Sequence, residues 1–414
     1  MTIKEKIYRL LRWSEQYTKT DMVYAGKSGF WLILGQAVGV LVALGLTIAF
    51  ANFLSQEVFG IYKYILSMVG FFTVFSLTGM NAVITKSVAQ GYDGTFKYSL
   101  LTQLKWAVPV FSSLVLFGLY YLSQGNTSYA VAFFIASFFA PISTVANSYN
   151  AYLHGKQDFR TATYYNSVST VLYGVFMFSV VFFTPKVIPL ITTYFAFHAT
   201  INVYFCFRTL KKNPPKKPFL RDEDLKYGKH LSLMNIAGSL AQQVDTLVVY
   251  HLLGPAQLAI FTFSTILPDR IKTIFNTLAS AALPKLSEKN RGGWDSLMVK
   301  TKQLSALALT IAIAYIIVAP YAYELLFPQY MSSVFYSQIY VFSLLLLPTY
   351  VSVPSLLAKQ KERALYVLSV ILPIVKICMS IVMIFLWGIL GAVLARIIYN
   401  GIYLFVSLFY ARKV

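Results

Sequence analysis

The chain has 414 residues, of which 57% are hydrophobic and only 12% are charged, with a net charge of +20. Soluble domains carry about 25% charged residues, so this composition excludes an ordinary soluble globular protein. The positive charge would favour a nucleic-acid partner in a soluble chain, but here the basic residues lie in short loops between apolar runs, and we expect no nucleic-acid binding.

The chain begins with a basic amphipathic segment, residues 1–27, which we expect to lie on the cytoplasmic membrane surface against anionic lipids. Twelve apolar runs follow, each of the length that a transmembrane helix needs. The predicted spans are residues 28–53, 58–83, 99–122, 128–153, 161–183, 187–207, 230–253, 256–283, 303–323, 333–358, 364–387 and 389–411. The sequence therefore predicts an all-α polytopic membrane protein.

A basic, proline-rich linker at residues 208–229 divides the spans into residues 28–207 and 230–414, with six in each part. The turn at Phe53–Tyr62 and the turn at Leu252–Phe261 share a small residue followed by isoleucine and an aromatic residue. With six spans per part, such a repeat is parallel about an axis along the membrane normal. We expect two six-helix lobes with a central cavity between them.

Basic residues are distributed unevenly between the two sides of the predicted topology. Of the 35 Lys and Arg residues, 28 lie in the tails and even-numbered loops, six lie inside spans, and only Lys186 lies in an odd-numbered loop. Because Lys and Arg concentrate in cytoplasmic loops, we predict that both termini face the cytoplasm.

Ionisable residues inside spans are costly unless they face a cavity or a partner, and they mark functional sites. The predicted spans contain Lys63, Lys105, Asp245, Asp269, Arg270, Lys272, Lys376 and Arg396. The excess of positive charge suits an anionic ligand, and a guanidinium fork matches phosphate oxygens. We therefore predict substrate binding by Arg270, Lys63, Lys376 and Arg396. An ion pair of Arg270 with Asp269 or Asp245 and outward snorkelling of Lys63 remain open.

Polar residues extend this predicted site. If residues 58–83 form one helix, Asn81 continues the face of Lys63, and Gln242 lies one turn before Asp245 on a polar face of span seven. We therefore add Asn81 and Gln242 to the substrate-binding candidates. Asp245 is either a coupling-ion site for H⁺ or Na⁺ or the ion-pair partner of a cavity cation. Lys272, three residues after Asp269, is expected to pair with it.

The sequence predicts no enzyme, metal site or cofactor. The four histidines and two cysteines have no metal-ligand spacing. The segment at residues 25–28 resembles the end of a phosphate-binding loop, but Asp21 occupies the required upstream glycine position. An integral-membrane polymerase or glycosyltransferase would need a large external loop or an acidic metal site, and neither is visible in the sequence.

Three segments carry a family resemblance: Ala51–Tyr62, Gln242–Asp245 with the following Leu253–Gly254, and Leu283–Ser287. They resemble bacterial polysaccharide flippases of the multidrug/oligosaccharidyl-lipid/polysaccharide exporter superfamily. The resemblance implies an inner-membrane protein that moves an undecaprenyl-pyrophosphate-linked O-antigen or capsule repeat unit by alternating access, together with polysaccharide polymerase machinery. Multidrug antiporters of the same superfamily are the alternative, although their interiors are usually less cationic.

Overall fold

The structure is a computed structural model of the chain, and it describes residues 22–213, 222–287, 294–347, 349, 364 and 366–412. Within these residues the α-helices are α1 (Met22–Phe53), α2 (Gln56–Thr73), α3 (Met80–Ala89), α4 (Gly94–Ser123), α5 (Thr127–Ala146), α6 (Tyr149–Gly155), α7 (Phe159–Phe183), α8 (Val187–Lys212), α9 (Asp222–Leu253), α10 (Pro255–Ser287), α11 (Trp294–Leu326), α12 (Ser333–Tyr340) and α13 (Leu372–Arg412). Short 3₁₀ segments at Pro328–Tyr330 and Val341–Leu346 flank α12, and a π-helical turn at Val367–Ile371 leads into α13. The predicted all-α fold is confirmed.

Seven segments of the described residues are long and apolar enough to cross a membrane. They are Leu34–Phe53, Gly94–Ser123, Thr127–Gly155, Phe159–Phe183, Val187–Lys212, Thr301–Leu326 and Val367–Tyr410. The last contains two helical parts, because Gly388 adopts a φ of 58° and a ψ of −132° inside α13. This break falls where predicted spans eleven and twelve meet. The chain is therefore a multi-pass membrane protein.

The remaining predicted spans are shorter, more polar or interrupted. Predicted span two, residues 58–83, is not a single helix, because α2 ends at Thr73 and the chain turns before α3 begins at Met80. The prediction that Asn81 continues the helical face of Lys63 is therefore wrong, since the 100° rotation per residue does not persist through the turn.

Two predicted segments lie largely outside the described residues. Of the amphipathic tail, only residues 22–27 are described, and they form the beginning of α1. Of the linker at residues 208–229, α8 includes its start as far as Lys212, and α9 includes its end from Asp222 onward. Both helices therefore extend beyond the predicted span ends at residues 207 and 230.

Helices pack mainly with neighbours from the same part of the chain. Among residues 22–213, α1 packs on α7, α4 on α5, and α5 on α8, whereas among residues 222–412, α9 packs on α13 and α10 on α12. The helix α2 is different, because it packs against both α10 and α9. It is therefore α2 that carries the main contact between the first and second parts of the chain.

One end of this contact is tightly closed by a group that we call the seam, formed by Gly60, Tyr64, Tyr250 and Pro255. A Cβ atom added at Gly60 would lie 1.9 Å from the carbonyl oxygen of Pro255, so only glycine fits there. The rings of Tyr64 and Tyr250 stack with centroids 3.8 Å apart. The seam lies near the beginnings of α2 and α10 and the end of α9, at the end that the predicted topology places outside the cell.

Candidate functional site: a cation-lined cavity

A cavity of about 730 Å³ opens between α9, α10, α12 and α13. Its polar wall residues include Thr78, Asn235, Ser239, Gln242, Lys272, Tyr340, Lys376, Arg396, Tyr399 and Asn400. The predicted polar face of span seven is thus part of the wall, and three basic side chains join it. A cavity of this size is within the range of small-molecule binding sites.

Asp245 lies at the centre of a buried ion-pair group, with 0% exposure. One carboxylate oxygen accepts from Nε of Arg396 at 2.7 Å and lies 3.2 Å from Nζ of Lys376. The other accepts from the Ser380 hydroxyl at 2.7 Å. Because α9 supplies the acid and α13 supplies all three partners, this group ties the two helices together. It corresponds to the ion-pair alternative for Asp245.

The two cations of this group have further contacts that fix their positions. Lys376 also donates to the backbone carbonyl of Ala241 and lies 5.7 Å from the ring centroid of Tyr399. The guanidinium of Arg396 lies 4.7 Å from the ring centroid of Phe261. Such cation–π contacts stabilise a desolvated cation in addition to its ion pair.

A second ion pair lies on α10 and is hydrogen-bonded to α12. Lys272 is 3.0 Å from Asp269, as its spacing predicts, and it also donates to the hydroxyl of Tyr340 at 2.9 Å. That hydroxyl in turn donates to Asp269 at 2.8 Å. The three groups close a hydrogen-bonded ring, so Lys272 is neutralised locally.

Arg270 and Lys63 differ from these cations. Among the residues that the structure describes, neither forms an ion pair or hydrogen bond, and both are half-buried. The charge of Lys63 on α2 lies within electrostatic range of Arg270 on α10 and of Arg396 on α13. Arg270 forms no ion pair or hydrogen bond with Asp245 or Asp269, the alternative that the sequence left open, although the charge of the adjacent Asp269 lies within its electrostatic range.

The predicted site residues therefore divide into three sets. Lys376, Arg396 and Gln242 line the cavity. Arg270 and Lys63 are not among its lining residues, but they lie near Arg396 where α2 meets α10.

Asn81 lies elsewhere, on α3, where it accepts a hydrogen bond from Ser148 at 2.9 Å, and Ser148 also contacts Gln103. It is therefore part of a polar group within the first part of the chain, and it is not among the residues that line the cation-lined cavity.

Sequence reasoning missed Ser380, Tyr340 and Tyr399, which contact the charged groups. Ser380 had a signal, because it lies four residues after Lys376 on the same helical face. No sequence signal distinguished Tyr340 and Tyr399, because 30 tyrosines are spread through the chain.

Five cations and two acids thus meet in this region, and both acids already form ion pairs. Lys63, Arg270, Lys272, Lys376 and Arg396 are the cations, and Asp245 and Asp269 are the acids. The formal charge of +3 favours an anion at the contact between the two parts of the chain. Among the described residues, no cluster of three His, Cys, Asp or Glu could hold a metal ion.

Solved structures similar to this chain include membrane transporters. The chain is similar to an inward-facing multidrug resistance MATE family transporter of the MOP superfamily, at 14% identity and a TM-score of 0.61, covering 90% of this chain and 97% of that one. It is also similar to a MOP superfamily transporter from Pyrococcus furiosus, for which a binding pocket of reverse polarity suggests a different function. That likeness has 16% identity and a TM-score of 0.61, and it covers 94% of this chain and 95% of that one. The protein thus has the fold of a MOP superfamily transporter.

A match to a protein family identifies the chain more specifically than its fold does. Residues 25–290, more than half of the chain, match the model of the polysaccharide biosynthesis protein family. The chain belongs to this family. No curated protein sequence matches it.

Proposed function

We propose that the protein is a flippase that moves undecaprenyl-pyrophosphate-linked oligosaccharide repeat units from the cytoplasmic to the outer leaflet of the inner membrane. Its membership of the polysaccharide biosynthesis family and its transporter fold support this proposal. The repeat units would belong to a surface polymer such as O-antigen or capsule, and polysaccharide polymerase machinery would use them after transfer.

The observation that carries the proposal is the position of Arg270 and Lys63. A cation in a membrane interior is costly unless an anion, a partner or water compensates it. Asp245 and Asp269 already form ion pairs with other cations. An anionic ligand is therefore the partner that we propose for Arg270 and Lys63. Arg270 offers a planar fork of donors for phosphate oxygens, and Lys63 adds a point charge from the other side of the contact.

The same arrangement supports alternating access. The contact of α2 with α9 and α10 carries Lys63 on one side and Arg270 on the other, and the seam closes one end of it. Two lobes, residues 28–207 and 230–414, would rock about this contact to open the seam. With both termini cytoplasmic and the cell interior negative, the membrane potential would favour outward movement of the anionic headgroup by about 2.3 kcal/mol per charge per 100 mV.

The role that we propose for Asp245 differs from that of the cations that bind the substrate. Its two oxygens already contact Arg396, Lys376 and Ser380. We therefore propose that Asp245 is a counter-ion that fixes Lys376 and Arg396 beside the substrate, while Gln242 contacts the ligand. A coupling role for H⁺ or Na⁺ would require Asp245 to release Arg396 during the cycle.

A cation-coupled multidrug antiporter is the second candidate, favoured by the likeness to a multidrug resistance transporter. The positive charge of the site opposes it for cationic drugs, because like charges repel strongly in a low-dielectric cavity.

The test is complementation of a deletion strain that lacks this gene. Arg270→Ala should lower surface polymer roughly 100-fold at normal protein levels, because a desolvated charge contact of this kind contributes several kcal/mol. Arg270→Lys should recover only part of the polymer, since it lacks the bidentate fork. Arg208→Ala, an exposed arginine on α8, is the matched control and should behave like the wild type.

Normal polymer from Arg270→Ala would contradict the phosphate role. Drug sensitivity of the deletion strain, with polymer unchanged, would favour the antiporter.

A further inference from the structure

A second cavity of about 300 Å³ lies between α2, α5 and α8, within the first part of the chain. Its polar lining residues are Thr73, Ser143, Thr144, Asn147, His198 and Asn202. Among its lining residues in the described chain, none is Asp, Glu, Lys or Arg, whereas the larger cavity has three basic side chains on its wall. The two cavities therefore suit different chemical groups.

Several hydrogen-bonding groups of the small cavity remain available. Asn202 donates its amide to the Ser143 hydroxyl at 3.0 Å, and its carbonyl oxygen has no hydrogen bond within the described residues. The ring nitrogens of His198 likewise have no hydrogen bond there, although the ring centroid lies 4.8 Å from those of both Tyr173 and Tyr194. Polar groups in a membrane interior require a partner, and a polar ligand in this cavity would supply one.

Aromatic rings complete the wall. Tyr194 and Phe195 both line the cavity, and Tyr194 meets the His198 ring edge-on at 68°. A sugar presents an apolar face of C–H groups and a rim of hydroxyls. Aromatic rings match the face, while amides, hydroxyls and imidazole match the rim.

The small cavity adjoins the cation-lined one through α9. Gly70 lines the small cavity, and a Cβ atom added there would lie 3.0 Å from the side-chain nitrogen of Gln243. The preceding residue, Gln242, lines the large cavity. Adjacent residues of α9 thus lie against the α2 wall of the small cavity and on the wall of the large one, so the two cavities are neighbours on either side of this helix contact.

We propose that the small cavity binds a saccharide unit of the lipid-linked substrate while its diphosphate lies at Arg270 and Lys63. This inference rests on the proposed function and assigns the sugar to a separate subsite. An inorganic cation is the rival occupant, but hard cations prefer carboxylate ligands, and no described lining residue supplies one.

The experiment measures binding of two probes to the purified full-length protein in detergent. The probes are undecaprenyl pyrophosphate and the same lipid carrying one N-acetylhexosamine. His198→Leu and Asn147→Ala remove groups from the cavity wall, and Asn126→Ala, at an exposed position between α4 and α5, is the matched control. Asn147 is itself exposed, and its side chain accepts one hydrogen bond, from the side-chain amide of Asn150 at 2.9 Å, so we expect its truncation to leave the fold intact even if His198→Leu does not.

The wild type should bind the sugar-bearing lipid at least about tenfold more tightly than the bare lipid, a difference that one or two hydrogen bonds supply. Both wall variants should abolish this preference while changing affinity for the bare lipid less than about twofold, and Asn126→Ala should change neither. If the wild type bound the two lipids with equal affinity, or if the wall variants lost affinity equally for both lipids, the saccharide subsite would be contradicted. The proposed flippase function would not be affected by either result. If the wild type bound neither lipid, the proposed function itself would fail.

Discussion

Two groups of cations meet in the interior of this membrane protein, and they differ in whether the chain neutralises them. Lys376 and Arg396 share the fully buried Asp245. Arg270 and Lys63 lie close by, and neither forms an ion pair or hydrogen bond among the described residues. Under the proposed function the two groups of cations have different purposes. Paired charges join helices, whereas unpaired charges remain available to an anionic ligand.

The largest expected effect comes from removing the acid of the paired group. Asp245→Ala leaves two largely buried cations uncompensated and should lower the free energy of unfolding by about 3–5 kcal/mol. Denaturant unfolding in detergent measures this change. The control is Asp93→Ala, because Asp93 pairs with Lys156 at 2.7 Å but both side chains are 36% exposed, and its loss should cost less than about 1 kcal/mol.

A double variant sharpens this test. Asp245→Asn together with Arg396→Gln removes one charge of each sign and should be more stable than Asp245→Asn alone. Equal stability of the single and double variants would show that charge compensation is not what Asp245 provides.

A smaller effect is expected at the seam, which joins the two parts of the chain without charge. Gly60→Ala places a methyl group against the backbone of Pro255 and should cost about 1–3 kcal/mol through overpacking. Gly39→Ala is the control, because no heavy atom lies within 4 Å of its added Cβ, and it should be neutral or slightly stabilising. Denaturant unfolding of both variants measures this difference in stability. Equal stability of the two variants would mean that the seam accommodates the added methyl group without destabilising the protein.

The smallest effect is expected within the Lys272–Asp269–Tyr340 ring. Tyr340→Phe removes a hydroxyl that bonds both charged groups and should cost about 1 kcal/mol, because the direct Lys272–Asp269 contact remains. Thermal unfolding of this variant beside Asp245→Ala ranks the two ion pairs. A loss as large as that of Asp245→Ala would show that Lys272 depends on the tyrosine for its neutralisation.

Local features of the structure could be predicted from the sequence, because they depend on spacing along one helix. The Lys272–Asp269 pair, the polar face that carries Gln242, and the chain break at Gly388 are of this kind.

Which cation pairs with Asp245 could not be predicted. Its partners lie 131 and 151 residues further along the chain, so only the packing of α9 on α13 brings them together. The prediction for Asn81 was wrong for a related reason, because apolar composition alone did not reveal the turn that follows the end of α2 at Thr73.

The most direct test of the distinction between the two groups is to measure anion affinity and stability in the same samples. Arg270→Ala and Lys63→Ala should each weaken binding of undecaprenyl pyrophosphate to the purified protein by at least about tenfold. Neither change should lower the thermal unfolding temperature, because neither residue forms an ion pair or hydrogen bond that would be lost within the described chain. Unchanged affinity, or a loss of affinity accompanied by an equal loss of stability, would contradict the assignment of these two cations to the substrate.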